Sequence, residues 1–310
     1  MKNVRLKLGT RGSKLALWQA NWVQEQLMNR NPGLAIEVVT ITTHGDRDQI
    51  HPLEEMGKTG LFVKEIERAL QDGRIDFAVH SAKDLPSQLP PDFALMAFAE
   101  REDPRDVLLS KNGRPLKNLP VGSRLATGSL RRKAQLLAYR PDLRFENLRG
   151  NIDTRVAKFL ESDWEGIVVA WAGIKRMGFR KYVSDFIPIE ICLPAVGQGV
   201  IALEGRKNDR HVRAILETIS DEKSEKAVIA EREFLRKIEG GCHVPVGALG
   251  LFDEGRLHLK AVVASVDGKR VLREQVTCQA SDPQSCGKQL ADKMIGLGAL
   301  EILAEDKGQN

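Results

Sequence analysis

Aromatic side chains are scarce in this sequence, at 5% with only two tyrosines, which leaves little to stack nucleic-acid bases on. The cysteines, Cys192, Cys242, Cys278 and Cys286, are scattered and form no CxxC pair. Neither a zinc ribbon nor a thioredoxin-type motif is supported, and a reduced setting fits best. No cluster of residues suggests a metal site. The longest apolar run, Ile167–Ile174 with one glycine, is far too short to span a bilayer. Met1-Lys2-Asn3-Val4 leads into a strand pattern without the apolar core of a signal peptide. A soluble, cytoplasmic protein is expected. Gly57-Lys58-Thr59 has the look of a phosphate loop, but the earlier glycine that a Walker A motif needs is Pro52 here.

With 310 residues, 42% of them hydrophobic and 29% charged, the chain is too long for one ordinary core and suits two or three globular domains. The formal charge of +5 mildly favours anionic partners. Val4, Leu6 and Leu8 alternate with polar residues as in a half-buried strand. The turn Gly9–Ser13 follows, then a helix from Lys14 to Arg30 that Pro32-Gly33 ends, then a strand over Ala35–Thr42. Such a β-turn-α-β opening puts a polar turn at the carboxyl end of a strand, where open α/β sheets bind ligands. Thr43–Gly60 is long and weakly patterned, as lids often are. A helix over Leu61–Asp72 and a strand over Ile75–Val79 lead to His80-Ser81-Ala82-Lys83-Asp84. His80 reads as a packed or capping histidine, and Asp84 reads more readily as a cap, with Lys83 as solvated charge, than as a chemical group.

Further strands are expected at Phe93–Ala99, Asp106–Ser110, Ser123–Thr127, Gly166–Trp171 and Val200–Glu204. Gly128-Ser129-Leu130-Arg131-Arg132 opens a helix running to Tyr139, and a helix start with a serine and two arginines suits an anion. Arg149, Arg155, Lys175 and Arg176 also follow strands, so several cations could meet in one cleft. Pro194–Gly199 is a glycine-rich crossing, and a helix over Asp209–Ile219 follows the next strand. Three antiparallel strands (Val246–Leu251, Leu257–Ser265, Val271–Thr277) and a helix over Pro283–Ala304 make a smaller α+β unit. The two earlier halves share a βαβ style without a convincing sequence repeat.

In Glu231–Gly247 an amphipathic run ends at Gly240-Gly241 and displays Cys242 ahead of Val244-Pro245-Val246. A small buried thiol after a helix cap is an equal reading. A Cys242–His243 nucleophile–base pair is excluded, because neighbours in extended chain point to opposite faces.

The collinear stretches TRGS at Thr10–Ser13, LFVKEIE at Leu61–Glu67, VHSAKDLP at Val79–Pro86, EREDPRD at Glu100–Asp106, TGSLRR at Thr127–Arg132, LRGN at Leu148–Asn151, LPAVGQG at Leu193–Gly199 and EGGCHVPVG at Glu239–Gly247 resemble the porphobilinogen deaminase (hydroxymethylbilane synthase) family over nearly the whole chain. The resemblance implies an α/β fold: two periplasmic-binding-protein-like α/β domains plus a small C-terminal α+β domain with a three-stranded antiparallel sheet. Their implied bounds are 1–99 with 200–219, 100–199, and 220–310.

The resemblance also implies a transferase of tetrapyrrole and heme biosynthesis. It would join four porphobilinogen molecules head to tail, with loss of ammonia, into hydroxymethylbilane. Cys242 would carry the dipyrromethane cofactor through a thioether, and Asp84 would be the catalytic carboxylate. Lys83, Asp84, Thr127, Ser129, Arg131 and Arg132 would hold the cofactor. Arg11, Ser13, Gln19, Arg149, Arg155, Arg176 and Gln198 would hold substrate and growing chain, a polyanion suited to arginines. No metal, nucleic acid or membrane is implied, and a monomer is expected. The family usually has a second serine where this chain has Gly128. A solute-binding protein with no chemistry and a basic nucleic-acid binder are the competing readings. Missing signal-peptide features weigh against the first, and few aromatics with mild charge against the second.

Overall fold

Leu6 and Leu8 turn inward from the first strand, β1 (Val4–Arg11). Ser13 is extended, at φ −70° and ψ 148°, and its side chain accepts from the Ala16 amide to start helix α1 (Lys14–Arg30). The helix ends where the Asn31 amide donates to the Leu27 carbonyl, and Gly33 then adopts φ 85°. The structure is a computed structural model and describes residues 4–42, 63–238 and 244–307. The expected loop over 43–60, with Lys58, and the Cys242 loop lie outside the described residues. The chain divides into two compact units, Met1–Arg101 with Val200–Glu225 and Glu102–Gly199 with Lys226–Asn310.

In the first unit β2 (Leu34–Ile41) and β3 (Phe77–Ser81) run parallel to β1 on either side of it. The returning strand β10 (Ile201–Arg206) lies between β3 and β4 (Phe93–Phe98), antiparallel to both, so the order is β2-β1-β3-β10-β4. One face packs Leu8, Phe77, Val79 and Leu203 against Ala20, Val23 and Leu27, an i, i+3, i+7 stripe of α1. On the other, Ile41, Ile75 and Ala78 meet Ile66, Ala69 and Leu70 of α2 (Lys64–Gln71). The strand expected from Ile75 begins at Phe77. Asp76 is instead engaged with Lys7, its amide donating to the Lys7 carbonyl at 2.8 Å and its carboxylate accepting from the Lys7 amide at 2.7 Å.

The second unit repeats that strand order without repeating the sequence. Its sheet runs β7 (Arg144–Glu146), β6 (Arg124–Ala126), β8 (Gly166–Ala170), β5 (Asp106–Ser110), β9 (Asp185–Phe186). The first three are parallel, and β5 is reversed against both of its neighbours. The reversed strand comes last in one unit and first in the other, because the chain crosses over after β4 and returns through β10. The short strands β7 and β9 escape sequence reading because so few residues carry no period. Helices α3 (Leu130–Tyr139) and α4 (Ile152–Glu161) follow β6 and β7. Trp171, expected at a strand end, opens α5 (Trp171–Arg176) instead. In the first unit, Asp209 caps α6 (Arg210–Leu216).

Strands β11 (Val246–Asp253), β12 (Arg256–Ala264) and β13 (Val271–Gln279) form the antiparallel sheet that was expected. Ala248, Leu257, Leu259 and Val263 pack with Phe234 of α7 (Glu222–Lys237), Leu290 of α8 (Pro283–Gly296) and Ile302 of α9 (Ala299–Lys307). The single terminal helix expected from the pattern is two, parted where Gly298 takes φ 88°. The expectation of reduced thiols also needs correction. The turn from β13 into α8 brings Cys278 and Cys286 to a Cα separation of 5.8 Å, and they form a disulfide. Cys192 is free and buried. No helix among the described residues is long and apolar enough to cross a membrane.

Candidate active site

In each unit several of the expected site residues follow the carboxyl ends of the parallel strands. In the first, β1 ends at Arg11, and the β1–β3 register, Gly9 opposite Ala78, brings it level with His80. Beyond Ser81 the chain makes a single 3₁₀ turn, Ala82–Asp84. Lys83 is half-buried there and Asp84 is exposed. Ser13 is committed to capping α1. Gln19, expected to meet substrate, is buried, and its amide donates to the Ser81 hydroxyl at 2.9 Å.

In the second unit Thr127 is buried behind β6, and its amide donates to the Glu146 carbonyl at 3.0 Å. Ser129 is the N-cap of α3. Gly128 has a local reason: a Cβ there would stand 2.6 Å from the Leu148 carbonyl oxygen. Arg131 and Arg132 turn into the protein. Arg131 reaches Asp106 at 2.8 Å and donates to the Leu193 carbonyl at 2.6 Å. Arg132 donates to Asp106 at 3.0 Å through Nε and to the Val168 carbonyl at 3.2 Å. Asp106 is wholly buried. Burial pushes its carboxyl up, but the attraction of Arg131 and Arg132 outweighs this and holds it well below the usual carboxylate range. One carboxylate against two guanidinium groups leaves the cluster with a net formal charge of about +1. Beside it, burial and then the Asp106 charge push the Cys192 thiol up to about 12.

Gln198 completes this wall, donating to Asp106 at 2.9 Å and to the Pro104 carbonyl at 2.6 Å, while its Oε1 is buried without a hydrogen-bond partner. Arg149 is half-buried after β7. Arg155, in the first turn of α4, donates to the Gly150 carbonyl at 2.7 Å. Arg176 donates to the Gly199 carbonyl at 2.9 Å, and burial lowers its pKa to about 10. Thus Arg131, Arg132 and Gln198 form one cluster around Asp106. Arg149 follows β7, Arg155 stands in the first turn of α4 and Arg176 closes α5.

The arrangement therefore offers a helix start and surplus positive charge to carboxylates, and an orphaned acceptor to an N–H donor. The family model described as "Porphobilinogen deaminase, dipyromethane cofactor binding domain" matches residues 6–214, spanning these loops. The chain belongs to the porphobilinogen deaminase family. The family's C-terminal domain model matches residues 225–296. The porphobilinogen deaminase of Desulfitobacterium hafniense is 49% identical over 300 residues, 97% of each chain. Those of Syntrophomonas wolfei (46% over 307 residues, 99% of this chain and 100% of the relative) and Pelotomaculum thermopropionicum (49% over 298 residues, 96% of each) are similar to it as well.

Reading by sequence missed Asp106 as a site residue, and it also missed Glu204 and Glu231, all three wholly buried. Glu231 accepts from the Gly197 and Gly250 amides at 2.7 and 2.8 Å and so ties the glycine crossing to β11. A signal existed for two of them: Asp106 and Glu204 are lone acids in the otherwise apolar runs DVLLS and IALEG.

Proposed function

We propose that this chain joins four porphobilinogen molecules head to tail into hydroxymethylbilane, releasing ammonia at each addition, as a soluble monomer in the cytoplasm. The match of the family's cofactor-binding domain over residues 6–214 carries this reading. A dipyrromethane bound through Cys242, in the domain spanning 220–310, would supply the pyrrole on which the new chain is built.

The residues fit such a group. Dipyrromethane carries several carboxylates and two pyrrole N–H donors. The net charge around Asp106 and the capped start of α3 suit the carboxylates, and the orphaned Gln198 Oε1 suits a donor. Lys83, Thr127, Ser129, Arg131 and Arg132 would hold it, the two arginines acting mainly through charge because their donors are largely engaged with Asp106 and backbone carbonyls. Arg11, Arg149, Arg155 and Arg176 would draw in the carboxylates of substrate and product, with Ser13, Gln19 and Gln198 shaping the loops that carry them. Loss of ammonia from porphobilinogen leaves a cation conjugated with the pyrrole nitrogen. The Asp84 carboxylate, exposed on a short turn, would stabilise that cation and accept the proton released when rearomatisation follows bond formation.

Intact mass under denaturing conditions tests the proposal. The purified protein should exceed its sequence mass by two porphobilinogen units less their ammonia, and Cys242→Ser should remove the excess. An unmodified protein that gains no mass on incubation with porphobilinogen would sink the proposal and favour a solute binder.

A further inference from the structure

The apolar face under α2 contains two ionisable groups that the reaction does not use. His80 leaves β3 toward that face, and Ala202 of β10 stands opposite it in the antiparallel register. Glu204, two residues along β10, therefore shares the face. Its Oε2 lies 2.8 Å from His80 Nε2. Glu204 is wholly buried, His80 is 8% exposed, and Glu204 Oε1 has no hydrogen-bond partner. At such a depth each group depends on the other for its polar partner, because a buried polar side chain without one is costly. From α2 Glu67 and Lys64 also act on this region. Arg206, farther along β10, is engaged with Asp76, Asp209 and the Leu70 and Ile75 carbonyls.

His80 is also the last side chain on this face before the turn that carries Lys83 and Asp84. Ser81 points to the opposite face, where Gln19 holds its hydroxyl at 2.9 Å. The Ala82 amide donates to the Val200 carbonyl at 3.0 Å, at the entry to β10. The end of β3 is thus gripped on both faces and at its edge, immediately before the exposed carboxylate. A side chain on a one-turn 3₁₀ segment takes its direction from the strand that feeds it, because the turn holds few hydrogen bonds of its own.

We propose that Glu204, acting through His80, is a positioning residue that sets the direction of Asp84. This rests on the reading of Asp84 as the catalytic carboxylate. Displacement of a reacting group by an ångström can cost roughly 10²-fold without changing how substrate binds. Glu204→Ala in the cofactor-loaded enzyme should lower kcat about 10–100-fold while KM stays within about twofold. Glu204→Gln keeps an acceptor for His80 and should recover most of the loss. His80→Phe keeps the ring's bulk and removes the nitrogen that meets Glu204, so it serves if Glu204→Ala does not fold; it should show the same selective fall in kcat. Steady-state kinetics with thermal midpoints measured alongside decide the matter. Wild-type kcat in His80→Phe or Glu204→Ala, equal losses in the Ala and Gln variants, or a loss confined to KM would overturn the inference. Asp84→Asn is run in parallel: normal turnover there would instead remove the catalytic reading of Asp84 on which the inference stands.

Discussion

Arg132 Nε donates to Asp106 Oδ1 at 3.0 Å, and both side chains are almost wholly buried. Arg131 meets the other carboxylate oxygen at 2.8 Å. Removing the acid would leave two buried guanidinium charges with neutral acceptors, the Leu193 and Val168 carbonyls and the Cys192 sulfur. Asp106→Asn should therefore cost about 3–5 kcal/mol of stability. Because the carboxyl is held below its ordinary range, the stability it contributes is present above an unfolded value near ~3.9 and is lost as pH falls toward the lower folded value. Urea denaturation at neutral pH and at about pH 2.5, between the folded and unfolded values, should show the gap between parent and variant narrowing on acidification. A variant within about 1 kcal/mol of the parent at neutral pH would contradict the pairing.

Asp84 offers the opposite case. It is exposed on the 3₁₀ turn Ala82–Asp84, so Asp84→Asn should change stability by no more than about 0.5 kcal/mol. Turnover should fall roughly 10²–10³-fold, since an amide cannot balance a developing cation. Thermal unfolding and ammonia release, measured on the same preparation, separate the two effects.

Gly128→Ser tests a departure from the family pattern. The new Cβ would lie 2.6 Å from the Leu148 carbonyl oxygen, a contact that backbone must move to relieve. A loss of about 1–3 kcal/mol is expected, the usual cost of forcing extra atoms into a packed site. An unchanged melting temperature would mean that the Thr127–Ser129 turn adapts without strain.

Glu67 responds to pH with the reverse sign of Asp106. Burial first, then the charge of Glu204, raise its pKa from 4.5 to about 6, against the pull of His80 and Lys64. A folded pKa above the unfolded one gives stability that is fully present below 4.5 and is lost as pH rises through about 6. Glu67→Gln should therefore gain on the parent between those limits. Paired denaturation curves taken below 4.5 and at about pH 7.5 read this directly, and a constant difference would refute it.

Much of the fold was legible in order. The ends of α1 could be read from Ser13 and from Pro32-Gly33, since capping and φ preferences act within a few residues. The loops after β1, β3 and β6 were marked by glycine, serine and basic residues following apolar runs. The family was legible too, because its motifs are local and collinear. Tertiary structure alone decided which way the side chains in those loops point. Arg131 and Arg132 read as part of a helix start that suits an anion, and the fold turns both onto Asp106, carried past their loop by the reversed strand β5. His80 finds Glu204 across 124 residues only because β10 inserts next to β3. Cys278 and Cys286 become bonded only when the turn after β13 folds α8 back. The physical reason is the same in each case. Local propensity depends on neighbours a few positions away, whereas the partner of a buried charge or thiol depends on strand order and direction, which no short stretch of this sequence encodes.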